Sequence, residues 1–180
     1  MNALLRYLLV SICCIGAGCT STSQSDLLLF GFERDADLDR LWWYCKTMYT
    51  RAREHATQGE YSLKVDFYPS HYPRFEPLMR TQDWSRYRAL CFDIYNPSDS
   101  IITVTLRIDD RRTSPAFYDC HIQYLKLRPG HNAITIGIAS LKGCKTQRPL
   151  RTKEIRRFMV FMYRPDRQHT LYFDNIKLVL

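Results

Sequence analysis

Hydrophobic residues recur along this chain with a period of two. Tyr61, Leu63, Val65 and Phe67 alternate with Ser62, Lys64 and Asp66, and Leu90, Phe92 and Ile94 alternate with Cys91, Asp93 and Tyr95. Ile102, Val104, Leu106 and Ile108 alternate with Thr103, Thr105 and Arg107. Successive side chains of a strand point to opposite faces of its sheet, so each run reads as a strand with one face in a core. Ile134, Ile136 and Ile138 continue the pattern after the turn Arg128-Pro129-Gly130-His131-Asn132. Residues 158–163 are apolar at both parities, the mark of a central strand, and residues 171–180 form a closing strand. Turn residues separate the runs at Gln58-Gly59, Asn96-Pro97-Ser98-Asp99 and Arg164-Pro165-Asp166. No stretch carries a long 3.6-residue period, and only residues 140–143 and 152–156 are expected to make short helical turns. The pattern predicts an all-β chain, an antiparallel β-sandwich of about eight or more strands.

A length of 180 residues at 46% hydrophobic content holds one such domain and hardly a second. Disorder and collagen-like structure are excluded, because no Gly-, Pro- or Gln-rich tract is present. Residues 1–18 read as an export signal: Arg6 supplies the positive charge and residues 7–15 a short apolar core, too short for a stable bilayer span. Gly16-Ala17-Gly18-Cys19 resembles a bacterial lipobox, which implies that Cys19 is lipidated and begins the mature chain. Gly16 stands where that motif usually has a branched residue, so ordinary signal-peptide cleavage near Ala17 or Gly18 is the alternative. Thr20 after the cysteine favours an outer-membrane lipoprotein under the usual sorting rule. The expected organisation is a signal peptide over 1–18, a lipidated cysteine and tether over 19–26, and a sandwich over 27–180. The membrane is then met through the lipid anchor only.

The mature chain retains Cys45, Cys91, Cys120 and Cys144. An even number in an oxidising compartment favours disulfides, with three pairings open. Zinc is the weaker reading, since no CxxC or nearby His pair occurs.

Three segments resemble a known family. They are Leu29-Phe30-Gly31-Phe32-Glu33, Gly59-Glu60-Tyr61-Ser62-Leu63-Lys64-Val65, and Asp83-Trp84-Ser85-Arg86-Tyr87-Arg88-Ala89-Leu90-Cys91-Phe92-Asp93-Ile94-Tyr95-Asn96-Pro97. With the turn Leu127-Arg128-Pro129-Gly130-His131-Asn132 and the strand Leu171-Tyr172-Phe173-Asp174-Asn175-Ile176-Lys177-Leu178, they are similar to galactose-binding-like jelly rolls of the bacterial carbohydrate-binding-module type. The resemblance runs from about Leu28 to Leu180 and implies non-catalytic glycan binding. The same sandwich also serves protein docking and assembly, which leaves a protein partner as the alternative. The resemblance further implies a structural Ca²⁺ held by Glu33, Asp174 and the backbone at Gln58-Gly59. The competing reading pairs Glu33 and Asp174 with Arg34 or Lys177 at a sandwich edge. Trp84, inside a family-like segment, is expected in the core.

For ligand contact, Arg107 falls out of the core phase of its strand. Arg107, Asp109 and His121 are therefore expected on one sheet face, where sugar hydroxyls need donors and acceptors. Tyr118, Trp42 and Trp43 are candidate platforms for the apolar faces of sugar rings. An internal Arg107–Asp109 salt bridge is the competing reading. No nucleophile elbow, phosphate loop or metalloprotease helix is present, and Asp109 and Asp110, adjacent on a strand, point to opposite faces, so no enzyme is expected. A formal charge of +8, with Arg148, Arg151, Lys153, Arg156 and Arg157 in one segment and Arg111 and Arg112 in another, gives the second reading: an envelope protein that docks an anionic polymer. Nucleic acid is not expected as a partner of an exported chain.

Overall fold

A computed structural model describes residues 25–44, 46–110 and 117–180, without the side chain of Phe117. The expected signal peptide, the lipidated Cys19, most of the tether, Cys45, Arg111 and Arg112 lie outside the described residues. Ten strands follow in chain order: β1 Leu27–Phe30, β2 Thr47–Ala52, β3 Ser62–Phe67, β4 Arg74–Phe75, β5 Ala89–Asn96, β6 Ile102–Asp109, β7 His121–Leu127, β8 Gly130–Gly137, β9 Arg157–Phe161 and β10 His169–Val179. They form two antiparallel sheets. The larger has the order β2-β3-β10-β5-β8, with β1 also paired to β10, and the smaller has the order β4-β9-β6-β7. The chain is a β-sandwich jelly roll, as the period of two predicts.

The alternation sorts residues as expected. Leu63, Val65, Phe67, Leu90, Ile94, Leu106 and Ile108 are inaccessible to solvent, while Lys64, Cys91, Asp93, Tyr95 and Arg107, at the other parity, are only partly buried. Aromatic rings tie the two layers together. Phe75 of the smaller sheet stacks at a tilt on Phe173 of the larger with centroids 4.7 Å apart, and Phe158 meets Phe92 edge to face at 5.5 Å. Trp84 is fully buried and donates its indole N–H to Thr81 O at 3.1 Å, so a polar atom inside the core is satisfied. The β5–β6 turn is pinned by the buried Asn96: Nδ2 donates to Ser100 O and Leu127 O, and Oδ1 accepts from Ser98 N at 3.0 Å.

The helical content departs from expectation. Short 3-10 turns occur at Ile138–Ser140 and Thr152–Glu154, near the expected places, but also at Asp35–Arg40 and Phe117–Asp119. A six-residue 3-10 turn is too short to show a helical period, so the sequence carries no sign of it. The expected pair of disulfides is not formed among the described residues. Cys91 sits on the outer face of the larger sheet, between the buried Leu90 and Phe92, with Sγ 3.7 Å from Thr135 Oγ1. Cys120 and Cys144 lie side by side at the other sheet, with Cys144 N donating to Cys120 O at 2.9 Å. Burial pushes the Cys120 thiol up to about 11.

Because Phe158 is fully buried between the sheets, truncation at that position leaves a cavity lined by both layers. Phe158→Ala is expected to cost about 3–5 kcal/mol of stability, read as a lower midpoint in chemical denaturation. A midpoint unchanged from the parent chain would contradict this packing.

Candidate functional site

Directly paired residues of antiparallel strands share a face. The register sets Asp109, Arg107 and Thr105 of β6 opposite Arg157, Met159 and Phe161 of β9, and Phe161 opposite Arg74 of β4. On the other side of β6, Arg107 pairs with Ile122 and Thr105 with Tyr124 of β7. These residues form the outer face of the smaller sheet. Of these, Arg74, Arg107, Arg157, Met159 and Phe161 line, with Tyr72 and Glu76, a groove of about 350 Å³.

Charges in the groove are paired in a lattice. Arg107 holds Asp109 with two nitrogens: Nε donates to Oδ2 at 2.9 Å and Nη2 to Oδ1 at 2.8 Å. Arg157 bridges the two carboxylates, donating from Nε to Glu76 Oε1 at 3.0 Å and lying 3.6 Å from Asp109 Oδ2 through Nη1. Glu76 Oε2 accepts from Arg74 Nε at 3.2 Å and from the Tyr44 hydroxyl at 3.0 Å. The Arg74 guanidinium in turn sits over the Tyr44 ring, 3.5 Å from its centroid. Asp109 is only 2% exposed, so its ion pair is a buried one. Burial works against the charge on Arg107, but the two bonds to Asp109 outweigh it and hold the Arg107 pKa above its ordinary value. Aromatic side chains complete the groove. Tyr72, half-exposed, packs edge-on against Phe161 at 5.8 Å and at a tilt against the exposed Tyr163 at 5.6 Å.

The expected convergence of Arg107 and Asp109 is present, but His121 does not join them. His121 pairs with Ile108, not with Arg107, and so takes the core-facing parity of β7. Its Nδ1 accepts weakly from Lys142 N at 3.4 Å, and burial lowers its pKa. Tyr118 is also elsewhere, on the Phe117–Asp119 turn with the Lys145 ammonium over its ring at 4.2 Å. Trp42 and Trp43 are both exposed, 51% and 53%. Trp42 lines a second depression of about 290 Å³ that adjoins the groove at Glu76 and Arg157. Trp43 instead donates its indole N–H to Leu38 O and packs edge-on against Tyr49. Sequence reasoning missed Tyr72, Arg74 and Glu76. The signal was the short alternation Tyr72-Pro73-Arg74-Phe75-Glu76, in which Pro73 and Phe75 are buried and Tyr72 and Arg74 are not. The basic segment does not form one face. Arg148 clamps Asp110 and Asp119, whereas Arg157 belongs to the groove.

Glu33 and Asp174 flank residues 57–61, as the resemblance implies, but that loop turns amides toward them. Asp174 Oδ2 accepts from Thr57 N at 2.6 Å, Gln58 N at 2.8 Å and Thr57 Oγ1 at 3.2 Å, while Oδ1 accepts from Asn175 N at 2.7 Å. Glu33 accepts from Glu60 N at 3.0 Å and Tyr61 N at 3.1 Å. Neither edge pairing expected as the alternative, with Arg34 or Lys177, is made. The buried Gln58 Oε1 is the one acceptor there without a donor among the described residues. Calcium takes about six to eight oxygens, so residues arranged in this way do not fit the ion. Backbone N–H groups fill the places that a cation would need.

No protein-family model and no curated protein matches the chain. Among solved structures the chain is similar to a family 11 carbohydrate-binding module from Clostridium thermocellum, solved in complex with a β-1,3-1,4-mixed-linked tetrasaccharide. The TM-score is 0.66 at 15% identity, over 86% of this chain and 95% of that one. The family 11 module of a cellulosomal cellulase of the same organism gives 0.63 at 15% identity, over 86% and 94%. An exo-β-agarase gives 0.69 at 15% identity over 84% of this chain but 24% of its own, so the likeness covers about a quarter of that protein. The chain therefore has the β-sandwich fold of family 11 carbohydrate-binding modules.

Two outcomes follow from the carboxylates. Removing one partner of a buried ion pair strands the other, so Arg107→Ala is expected to lower stability by about 3–5 kcal/mol in denaturant titration. A variant as stable as the parent would show that Asp109 is hydrated. For Asp174, burial pushes the carboxyl above its ordinary range, against the bonds from Gln58, Thr57 and Asn175. A raised carboxyl binds its proton more tightly in the folded chain. Its contribution to stability is full at acid pH and is lost as pH rises through the raised value. The stability difference between parent and Asp174→Asn should therefore change as pH rises above the ordinary carboxylate range of about 4, and calcium or chelator should leave both melting temperatures unmoved. A difference flat in pH, or a melting temperature that follows calcium, would refute this account.

Proposed function

We propose that this chain is a non-catalytic glycan-binding module of a bacterial cell-envelope lipoprotein, and that the groove over β6 and β9 is its binding surface. The observation that carries the reading is the groove itself: an open cavity of about 350 Å³ with an aromatic wall and guanidinium groups held in fixed positions. Tyr72 in the groove, with the exposed Tyr163 packed against it at the margin, offers an aromatic surface to the apolar side of a sugar, and the arginine lattice offers planar donors to its oxygens. The fold supports the same reading, since a family 11 module of that architecture has been solved with a bound tetrasaccharide.

Glycoside hydrolysis needs one carboxyl to give a proton and a second to attack or to activate water. Glu76 and Asp109 are the carboxylates of the groove, and both are held by arginine nitrogens. Neither presents an open oxygen to a glycosidic bond, which favours binding without catalysis. The lipobox-like Cys19 and the following polar residues 20–25 supply the anchor and a short tether ahead of β1.

A glycan array probed with the purified protein tests the reading. Tyr72→Ala and Tyr163→Ala should each weaken binding about tenfold, with the melting temperature little changed because both rings are exposed. An array on which nothing binds, or full affinity retained in both variants, would remove the groove from consideration.

A further inference from the structure

The groove holds three guanidinium groups, Arg74, Arg107 and Arg157, against two carboxylates, Glu76 and Asp109. Pairing leaves one positive charge over. It also consumes acceptors faster than donors. Both oxygens of Glu76 are engaged, Oε1 by Arg157 and Oε2 by Arg74 and Tyr44. Both oxygens of Asp109 are engaged by Arg107. The arginines are less fully used. Among the described residues, Arg74 spends only Nε on a hydrogen bond, Arg107 spends Nε and Nη2, and Arg157 spends Nε. Among the described residues each therefore keeps at least one terminal nitrogen without a hydrogen bond, although Arg157 Nη1 stands 3.6 Å from Asp109 Oδ2, and a guanidinium can only donate.

A neutral sugar hydroxyl both donates and accepts, and in this groove its proton finds engaged carboxylates. A carboxylate or sulfate only accepts, and suits a surface whose unused groups are donors. Arg74 is further held over the Tyr44 ring, 3.5 Å from its centroid, so that the guanidinium is restrained before a ligand arrives. We propose that the glycan bound in this groove carries an anionic group, a carboxylate or a sulfate, received by the free terminal nitrogens of Arg74 and Arg157. The proposal rests on the groove being the glycan site and names the chemistry of its ligand.

Calorimetric titration of the full chain with three oligosaccharides of equal length tests it: an oligogalacturonate, a sulfated galactan oligosaccharide and a neutral mixed-linkage glucan. At least one anionic oligosaccharide should bind about tenfold or more tightly than the glucan, and the two anionic arms tell carboxylate from sulfate. Arg74→Gln should remove about tenfold of that affinity, a larger loss than any glucan binding suffers from the same variant. Arg157→Gln serves as a second variant, and thermal melting checks that each is folded. Arg128→Gln, on the turn between β7 and β8 and outside the groove, should change nothing. If the glucan binds as tightly as both anionic sugars, or Arg74→Gln and Arg157→Gln leave anionic binding intact, the anionic proposal is overturned while the glycan reading stands. Equal losses from Arg128→Gln and Arg74→Gln would mean diffuse attraction of a polyanion and would also overturn it. If none of the three binds and the array is blank, both readings fall.

Discussion

Strand β10 has to satisfy three neighbours, and the way it does so organises the larger sheet. Along one edge it pairs with β5; along the other it pairs with β3 over His169–Phe173 and then with β1 from Ile176 onward. At the hand-over the register slips between Asp174 and Lys177, and Asn175 takes a positive φ of 52°. A seam of this kind leaves amides without ladder partners inside the protein, where an unmade hydrogen bond costs about 1–3 kcal/mol. The buried Asp174 collects them, accepting from Thr57, Gln58 and Asn175. Glu33, just after β1, grips the same loop from Glu60 and Tyr61. Between them Gly59, at a φ of 69°, lies so close that a Cβ there would stand 2.3 Å from Glu33 Oε1. The loop leading into β3 is thereby fixed from both ends of the chain by charge-assisted hydrogen bonds.

The smaller sheet uses charge differently. Burying Asp109 beside two arginines adds little stability over an apolar replacement, because the desolvation of each ion offsets the attraction between them. What the pairs provide is position. Arg107, clamped at two points, and Arg157, strung between Glu76 and Asp109, have few ways to move. Donors fixed in advance lose little freedom when a ligand binds, so the entropy is spent in folding instead of in recognition.

Much of the sandwich was legible because a buried face imposes its period on the sequence. Leu63, Val65 and Phe67, or Leu106 and Ile108, can be read directly as core from their spacing. What spacing within a strand does not show is how strands align. His121 illustrates this: a shift of one residue in the β6–β7 register exchanges every side chain between faces, and the segment joining the two strands contains no motif that fixes it. The partner of Ile108 could not be distinguished from the partner of Arg107 until the pairing was known. The missing half of the groove has another cause. β4 is two residues long, below the length at which alternation becomes a pattern, so no period places Arg74 and Glu76 on a sheet face. The arginine bridge along β6 was legible because Arg107 and Asp109 lie two apart on one strand, and the buried Trp84 because it falls in a family-like segment.

Strand β9 connects the two halves of the argument. Its apolar character on both faces suits a strand buried on both sides, and Phe158 and Val160 do fill the core. Met159 and Phe161 face the other way, onto the outer surface, where they are nevertheless buried beneath the groove's own wall. Tyr72 covers Phe161 from the side, and Tyr163 meets Tyr72. An antiparallel sheet with one solvated face has no packing reason for such residues there, because polar side chains would serve the fold as well. Their presence makes the floor of the groove apolar while its unused hydrogen-bonding groups are arginine donors. A ligand that fits both must offer a flat apolar surface and an acceptor together, which a pyranose ring bearing an acidic substituent does.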